Sequence, residues 1–282
     1  QYRPKIYVRC WAQSVDPDDF INREGMLDWM RNYELMLDKF IDGIFIANEE
    51  LAAYMRVSGI KAPLYVVGLP FSKKEVQNRV PDRPKLIEKK DRVVFASRWD
   101  DEKQPDFYMD MAEYYYKEVD KSVEFAILTG RSTLTGSNPD AVARAIALSN
   151  STNANFKIYT NLQKNEYYSL LADSKVMFNC ALQDWVSFTA IEGDSLGTMT
   201  VYPAYRSFPE TFNNNPDHMY TPWSVTDAAK KIKYVIDEIS HGNEFDIGQL
   251  SDYQDATVYR MVYTMFDEPN DNGTLKKEKW ER

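Results

Sequence analysis

VVFASRWDDEK, Val93 to Lys103, and DWVSFTAIEGDSLGTMTVYP, Asp184 to Pro203, are the two stretches whose reading decides how this chain folds. In the first, an apolar run of strand character gives way to Arg98 and then Lys103. In the second, Asp184 and Glu192 bracket a helix start, and Gly197-Thr198 precede another strand. Read together, they set two cations and two carboxylates at the C-terminal ends of neighbouring parallel strands, where open α/β sheets bind ligands. Two fixed cations suit a diphosphate. Two carboxylates suit hydroxyl-rich groups such as ribose or hexose. The ligand expected from the residues is a nucleotide sugar.

Working outward, apolar runs alternate with helical patterns along the chain, which points to βαβ units and parallel sheets. Residues 5–11, 44–47 and 64–67 read as strands, and 49–57 as a helix between the last two. Asp16-Pro17-Asp18-Asp19 reads as a helix start, with Asp16 as the cap and proline at the first helical position. Residues 26–40 continue as an amphipathic helix with Leu27, Met30, Leu37 and Ile41 near one face. Pro70, Pro81 and Pro84 punctuate a charged stretch that reads as a linker. After it, strands are expected near 93–96, 123–128, 156–159, 176–180 and 199–202. Helices are expected near 106–118, 140–148, 164–172 and 187–196, then at 224–239 and 249–266. The tail 268–282 reads as loosely held. The division is therefore 1–72 as part of a first α/β domain, 73–91 as linker, 92–240 as a second such domain, and 241–282 as a helix and tail returning to the first. Three strands leave the first domain short against the five of the second, so a preceding segment is expected to be missing.

Composition narrows the classes. The 282 residues are 44% hydrophobic and 27% charged, a globular balance. No apolar run approaches the roughly 18 residues of a membrane span, and no signal peptide opens the chain. Cys10 and Cys180 each sit in an apolar run, so buried thiols and a reducing, cytoplasmic compartment are expected. Neither has a CxxC partner, so no metal is expected. His218 and His241 read as solvated surface histidines. The net charge of −9 weighs against a surface dominated by phosphate-backbone contacts.

Each motif also has a plainer reading. Arg98 and Lys103 could be a surface pair balanced by Asp100, Asp101 and Glu102. Asp184 could be an N-terminal acid complementing a helix dipole, with Glu192 solvated. Ser187 reads as that helix's cap, leaving amides at Ser187, Phe188 and Thr189 aimed at an anion. Tyr114-Tyr115-Tyr116 could stack on a base, but an aromatic helix face is more often core. Asp16-Pro17-Asp18 matches a DxD metal motif, and a helix cap is the preferred reading.

The two quoted stretches resemble the C-terminal domain of retaining GT-B glycosyltransferases, the large group that includes sucrose and glycogen synthases. The family pattern is a strand, an Arg and then Glu-Lys, as in RWDDEK. It continues with an acid, a second glutamate after seven residues, a Gly-Thr and a Pro-Glu. Here those are Asp184, Glu192, Gly197-Thr198 and Pro209-Glu210. NLQKNEYYSLLADSKVMFNCAL resembles the family's approach to the donor site. The resemblance covers about 93–210 well and the first domain loosely. It implies a GT-B fold of two Rossmann-like domains with parallel sheets, the N-terminal one incomplete. It implies a retaining, metal-independent hexosyltransferase that uses a nucleotide sugar, a UDP-sugar, with no other cofactor. Arg98, Lys103, Asp184 and Glu192 become its candidate catalytic set. In that set Arg98 and Lys103 hold the diphosphate, Glu192 binds ribose and Asp184 contacts the sugar. Gly130, Ser187, Phe188 and Thr189 become donor-binding positions. The family usually has Glu where Asp184 stands, and a glycine-rich approach where Trp185, Val186 and Ser187 stand. RCWAQSVDPDDFINREGM loosely resembles bacteriophage glycosyltransferases, some of which glucosylate hydroxymethylated pyrimidines, so DNA is the acceptor implied. The rivals are another GT-B activity, such as an epimerase or phosphorylase, and a non-catalytic nucleotide-binding subunit.

Overall fold

A computed structural model describes residues 3–10, 14–212, 214–243 and 256–266. The chain divides into two compact units, one of Gln1–Phe71 with Ser251–Arg282 and one of Ser72–Leu250.

In the first unit, β1 (Tyr7–Arg9), β2 (Gly43–Ile46) and β3 (Leu64–Val66) form a parallel sheet in the order β1-β2-β3. The helix expected from Asp16 onward is broken in two. Asp19, not Asp16, caps α1 (Phe20–Arg23), its side chain accepting from the Ile21 amide. Asp16 is fully buried and its Oδ1 accepts from the Asp18 amide at 3.0 Å. The chain then turns at Gly25, φ +68°, before α2 (Leu27–Leu37). That left-handed turn is glycine's province, and it ends the first helical run. Of the apolar face expected for α2, Leu27 is exposed, Met30 and Leu37 are half-buried, and Ile41, just past the helix, is buried; Trp29, Tyr33 and Met36 on the other sides are exposed. Its one buried residue is Glu34, whose carboxylate accepts from the Ser14 amide at 2.8 Å and the Ser14 hydroxyl at 2.5 Å. Beneath it lies a cavity of about 270 Å³, lined by Val8, Cys10, Met30, Leu37 and Met55 among others. α3 (Glu49–Val57) matches its sequence reading. Asn48 caps it through a 3.0 Å bond from the Leu51 amide, and Leu51 and Met55 face the core. Among the described residues of the tail, α11 (Ala256–Phe266) packs Met261 and Met265 on the cluster of Phe45, Tyr65 and Val67. Trp11 and residues 268–282 lie outside the described residues.

The second unit opens within the proline-punctuated stretch, which carries a short helix α4 (Lys73–Asn78) capped by Ser72. Six strands follow where five were expected: β4 (Lys90–Phe95), β5 (Glu124–Leu128), β6 (Phe156–Tyr159), β7 (Ser174–Phe178), β8 (Met199–Pro203) and β9 (Met219–Tyr220). β9 is two residues long, too short to leave a periodic signal. All pair in parallel in the order β6-β5-β4-β7-β8-β9. β7 and β8 are buried throughout, which is why strands covered on both faces read as unbroken apolar runs.

The helices between them are α5 (Pro105–Glu118), α6 (Pro139–Ser149), α7 (Lys164–Ala172), α8 (Phe188–Ser195), α9 (Phe208–Thr211) and α10 (Val225–Ser240). α5 starts at a proline and buries Tyr108, Met109, Met111, Ala112 and Tyr115. Tyr115 thus belongs to the core, with Tyr114 and Tyr116 packed against it. α10 buries Ala228, Ala229, Ile232, Val235, Ile236 and Ile239, a stripe at helical spacing. The chain enters this sheet at β4, winds outward through β5 and β6, then returns to β4's other side with β7. The reversal lies between β4 and β7, and the crevice beyond their carboxyl ends is the expected ligand position. No described helix is long and apolar enough to cross a membrane.

Candidate functional site

The loop after β4 carries Arg98 and ends in a 3-10 turn, Asp101–Lys103. Gln104 follows at φ 51°, a left-handed conformation that reverses the chain into α5. The two cations have different fates. Arg98 is 55% exposed, donates to Glu102 at 2.6 Å and lies 3.5 Å from Asp100. Lys103 is buried; its ammonium donates to the Gln183 carbonyl and stands 3.7 Å from Asp184. The loops after β4 and β7 are stitched together by two further bonds. The Leu182 amide donates to the Glu102 carbonyl at 2.8 Å, and the Gln104 side-chain amide donates to the Cys180 carbonyl.

Asn179, directly after β7, organises the other side. Its Nδ2 donates to Ser187 Oγ at 3.1 Å and to Asp184 Oδ2 at 3.4 Å. Ser187 caps α8 as expected, accepting from the Ala190 amide at 3.4 Å, and its hydroxyl meets that of Thr189 at 3.1 Å. Phe188 stands exposed at the start of the helix. Lys103, Asp184, Asn179, Ser187 and Thr189 are therefore one linked set at the crevice. α8 closes with a Schellman motif: the Thr198 amide donates to Gly193 at 2.8 Å and the Gly197 amide to Asp194 at 2.9 Å. Gly197 has φ +71°, which explains the glycine of the Gly-Thr pair.

Glu192 is not solvated. It is 8% exposed, and three donors from α7 converge on its carboxylate. Lys164 Nζ and the Tyr168 hydroxyl reach Oε1 at 2.7 and 2.8 Å, and the Tyr167 hydroxyl reaches Oε2 at 2.8 Å. Burial first, and then the neighbouring carboxylate, holds both tyrosine hydroxyls above their ordinary range. Gly130 lies in the loop after β5, where a Cβ would come within 3.2 Å of the Leu162 carbonyl.

Several features escaped the sequence. Asn179, Tyr167 and Tyr168 stood in the stretch read as the approach to the donor site, but their roles gave no signal, because their partners lie on other elements. Trp223 and Arg206 join Gln104 in left-handed backbone at φ 60° and 52°. Such conformations are uncommon away from glycine and cluster at functional sites. Trp223 Nε1 donates to Gln104 Oε1 at 3.1 Å, Tyr205 meets Trp223 edge-on at 5.3 Å, and Arg206 lies 5.0 Å over the Trp185 ring. Against expectation His218 is buried. Its Nδ1 pairs with the Thr200 carbonyl at 2.9 Å, and burial lowers its pKa. His241 is exposed at the end of α10. Among the described residues, no group of three or more His, Cys, Asp or Glu could hold a metal ion.

No family model matches the sequence, and no curated protein matches it. Solved structures match it by shape. TarM of S. aureus superposes with a TM-score of 0.71 at 15–16% identity, over 94% of this chain and 50–51% of TarM. A UDP-forming α,α-trehalose-phosphate synthase from Burkholderia xenovorans gives 0.71 at 11% identity, over 94% of this chain and 68% of that one. Sucrose-phosphate synthase from Thermosynechococcus elongatus gives 0.62 at 11%, over 93% and 64%. The fold is GT-B. This chain spans about half the length of TarM. A TarM variant has been solved with Fondaparinux, alpha-GlcNAc-glycerol and UDP.

Proposed function

We propose that this chain carries the donor site of a retaining nucleotide-sugar glycosyltransferase that moves a hexose from a UDP-sugar to a hydroxyl acceptor. The observation that carries the reading is the linked set Lys103, Asp184, Asn179, Ser187 and Thr189, lying at the β4–β7 reversal of a GT-B fold. The UDP held by TarM and the UDP-forming trehalose-phosphate synthase support the choice of nucleotide.

In this reading the donor diphosphate lies between Lys103, the exposed Arg98 and the first turn of α8. Arg98 exchanges Glu102 and Asp100 for phosphate oxygens, which its planar fork suits. Negative charge grows on the leaving diphosphate as the glycosidic bond breaks, so both cations act more strongly in the transition state than before it. Asp184, fixed by Asn179 and Lys103, faces the transferred sugar. Glu192 accepts from ribose. The leaving phosphate takes the acceptor's proton on the same face, which preserves the anomeric configuration and asks for no protein base. Hydroxymethylated pyrimidine in DNA is the first acceptor to assay. Neither cysteine is in a disulfide, which accords with action in the cytoplasm.

A thermal-shift and hydrolysis screen over UDP-, GDP- and ADP-sugars, without metal and then with Mn²⁺, tests the reading. A metal-independent rise in melting temperature with the UDP-sugar, lost in Arg98→Ala, is expected. Lys103→Ala should slow transfer by more than about 100-fold, the scale of a lost transition-state contact. No shift with any nucleotide sugar sinks the proposal.

A further inference from the structure

The donors around Glu192 leave an asymmetry that bears on what it recognises. A carboxylate offers about four lone-pair sites. Three are taken: two on Oε1 by Lys164 and Tyr168, and one on Oε2 by Tyr167. All three donors come from one face of α7, at i, i+3 and i+4. One acceptor site remains, on Oε2. The carboxylate so held cannot take protons from two ligand hydroxyls at once. Beside it, Lys164 spends one of its three ammonium hydrogens on Oε1, and its side chain is 53% exposed. The ammonium is held over the Tyr167 and Tyr168 rings at 4.8 and 4.5 Å, which fixes its place without using another hydrogen.

We propose that Lys164 contacts the ligand directly, and that Lys164 and Glu192 together read a vicinal diol. One hydroxyl donates to Glu192 Oε2, and its neighbour accepts from Lys164 Nζ. The ligand class is a ribonucleotide, and the inference rests on the donor-site reading given above. Lys164 Nζ lies 2.7 Å from Oε1 of the same carboxylate, which sets the ammonium beside the group whose Oε2 keeps the free acceptor site. A deoxyribose leaves one of these two groups without its partner. Tyr167 and Tyr168 are positioning residues that hold the carboxylate in this state.

Calorimetric titration of UDP, GDP and ADP, each with its 2′-deoxy and 3′-deoxy counterpart, tests this on wild type, Lys164→Met, Lys164→Arg and Tyr168→Phe. Wild type should prefer the ribonucleotide by about tenfold or more over each deoxy form, as a hydrogen bond to a charged group implies. Lys164→Met should lose about that factor for the ribonucleotide and lose discrimination at one hydroxyl while keeping it at the other. Lys164→Arg should restore part of the discrimination. Tyr168→Phe should reduce discrimination at the hydroxyl Glu192 holds, the one that Lys164→Met leaves read. If Lys164→Met loses discrimination at the same hydroxyl as Tyr168→Phe, weakens ribo and deoxy forms equally, or changes nothing, the ammonium does not contact the ligand and the proposal fails while the donor-site reading stands. If wild type binds none of the nucleotides, both fail.

Discussion

Lys89 offers a quantitative test of how α8 is anchored. Its side chain is 5% exposed, and its nitrogen donates to the Leu196 carbonyl at the end of α8 at 2.9 Å and to Thr198 Oγ1 at 3.3 Å. Burial, opposed by Asp173 and reinforced by Arg83, brings its pKa from 10.5 down to about 7. The sign follows from proton counting. Below about pH 7 the amine is protonated in both the folded and unfolded chain, and the buried charge is fully felt. Between about 7 and 10.5 the unfolded chain keeps the proton while the folded chain has lost it, so stability rises with pH. At about 1.4 kcal/mol per pH unit, the window amounts to at most about 5 kcal/mol. Lys89→Met removes the titration and keeps the stem's bulk. Urea unfolding of both proteins from about pH 6 to about pH 10 isolates the effect, because every other titrating group cancels in the difference. Wild type should gain on the variant steadily as pH rises. Parallel curves across that range would refute a buried amine with a depressed pKa.

Gly136→Ala should cost about 2 kcal/mol or more. Its Cβ would overlap the Trp99 carbonyl and part the Asp101–Ser137 and Ser137–Asp100 bonds, each 2.9 Å. A fall in melting temperature of several degrees is the readout, and an unchanged midpoint contradicts the packing. Ser187→Ala should cost about 1 kcal/mol by denaturant titration, the usual loss of a helix cap, with Ser187→Thr recovering most of it. Cys180 is buried as expected and Cys10 only half-buried, yet both thiols should react slowly with Ellman's reagent until denaturant is added. Burial pushes Cys180 well up and, with Glu34, takes Cys10 to about 12, so little thiolate exists at neutral pH. Fast labelling of the folded chain would contradict both placements.

Every strand but β9, and most helices of the second unit, were legible because buried parallel strands write long apolar runs and prolines and caps mark helix starts. α7 was read to the residue, and Ser187 as the cap of α8. The DDE run after Arg98 already named the acids that now hold its guanidinium. What stayed hidden depends on distance along the chain. The partners of Glu192 lie more than twenty residues away, that of His218 lies on β8, and that of Gly136 in the loop after β4. The break at Gly25 was overridden by an apparent amphipathic pattern, which the folded chain honours at Met30, Leu37 and Ile41 but not at Leu27, which it leaves exposed. Periodicity reports which side chains could face a core, not whether a core is there to meet them.

The first unit is discontinuous, and this imposes an order on its assembly. Its sheet exists once residue 71 has been made, but Met261 and Met265, which cover Phe45 and Tyr65, belong to α11. Arg9 donates to the sulfur of Met261 at 3.6 Å, a contact across 252 residues of chain. At roughly 5–20 residues per second, a ribosome needs on the order of ten seconds or more to reach that helix. During that interval the aromatic face of β2 and β3 waits for its cover while the second unit, contiguous in sequence, can complete its own core. Nascent chains halted before α11 should therefore bring a folded second unit and a chaperone-dependent first one.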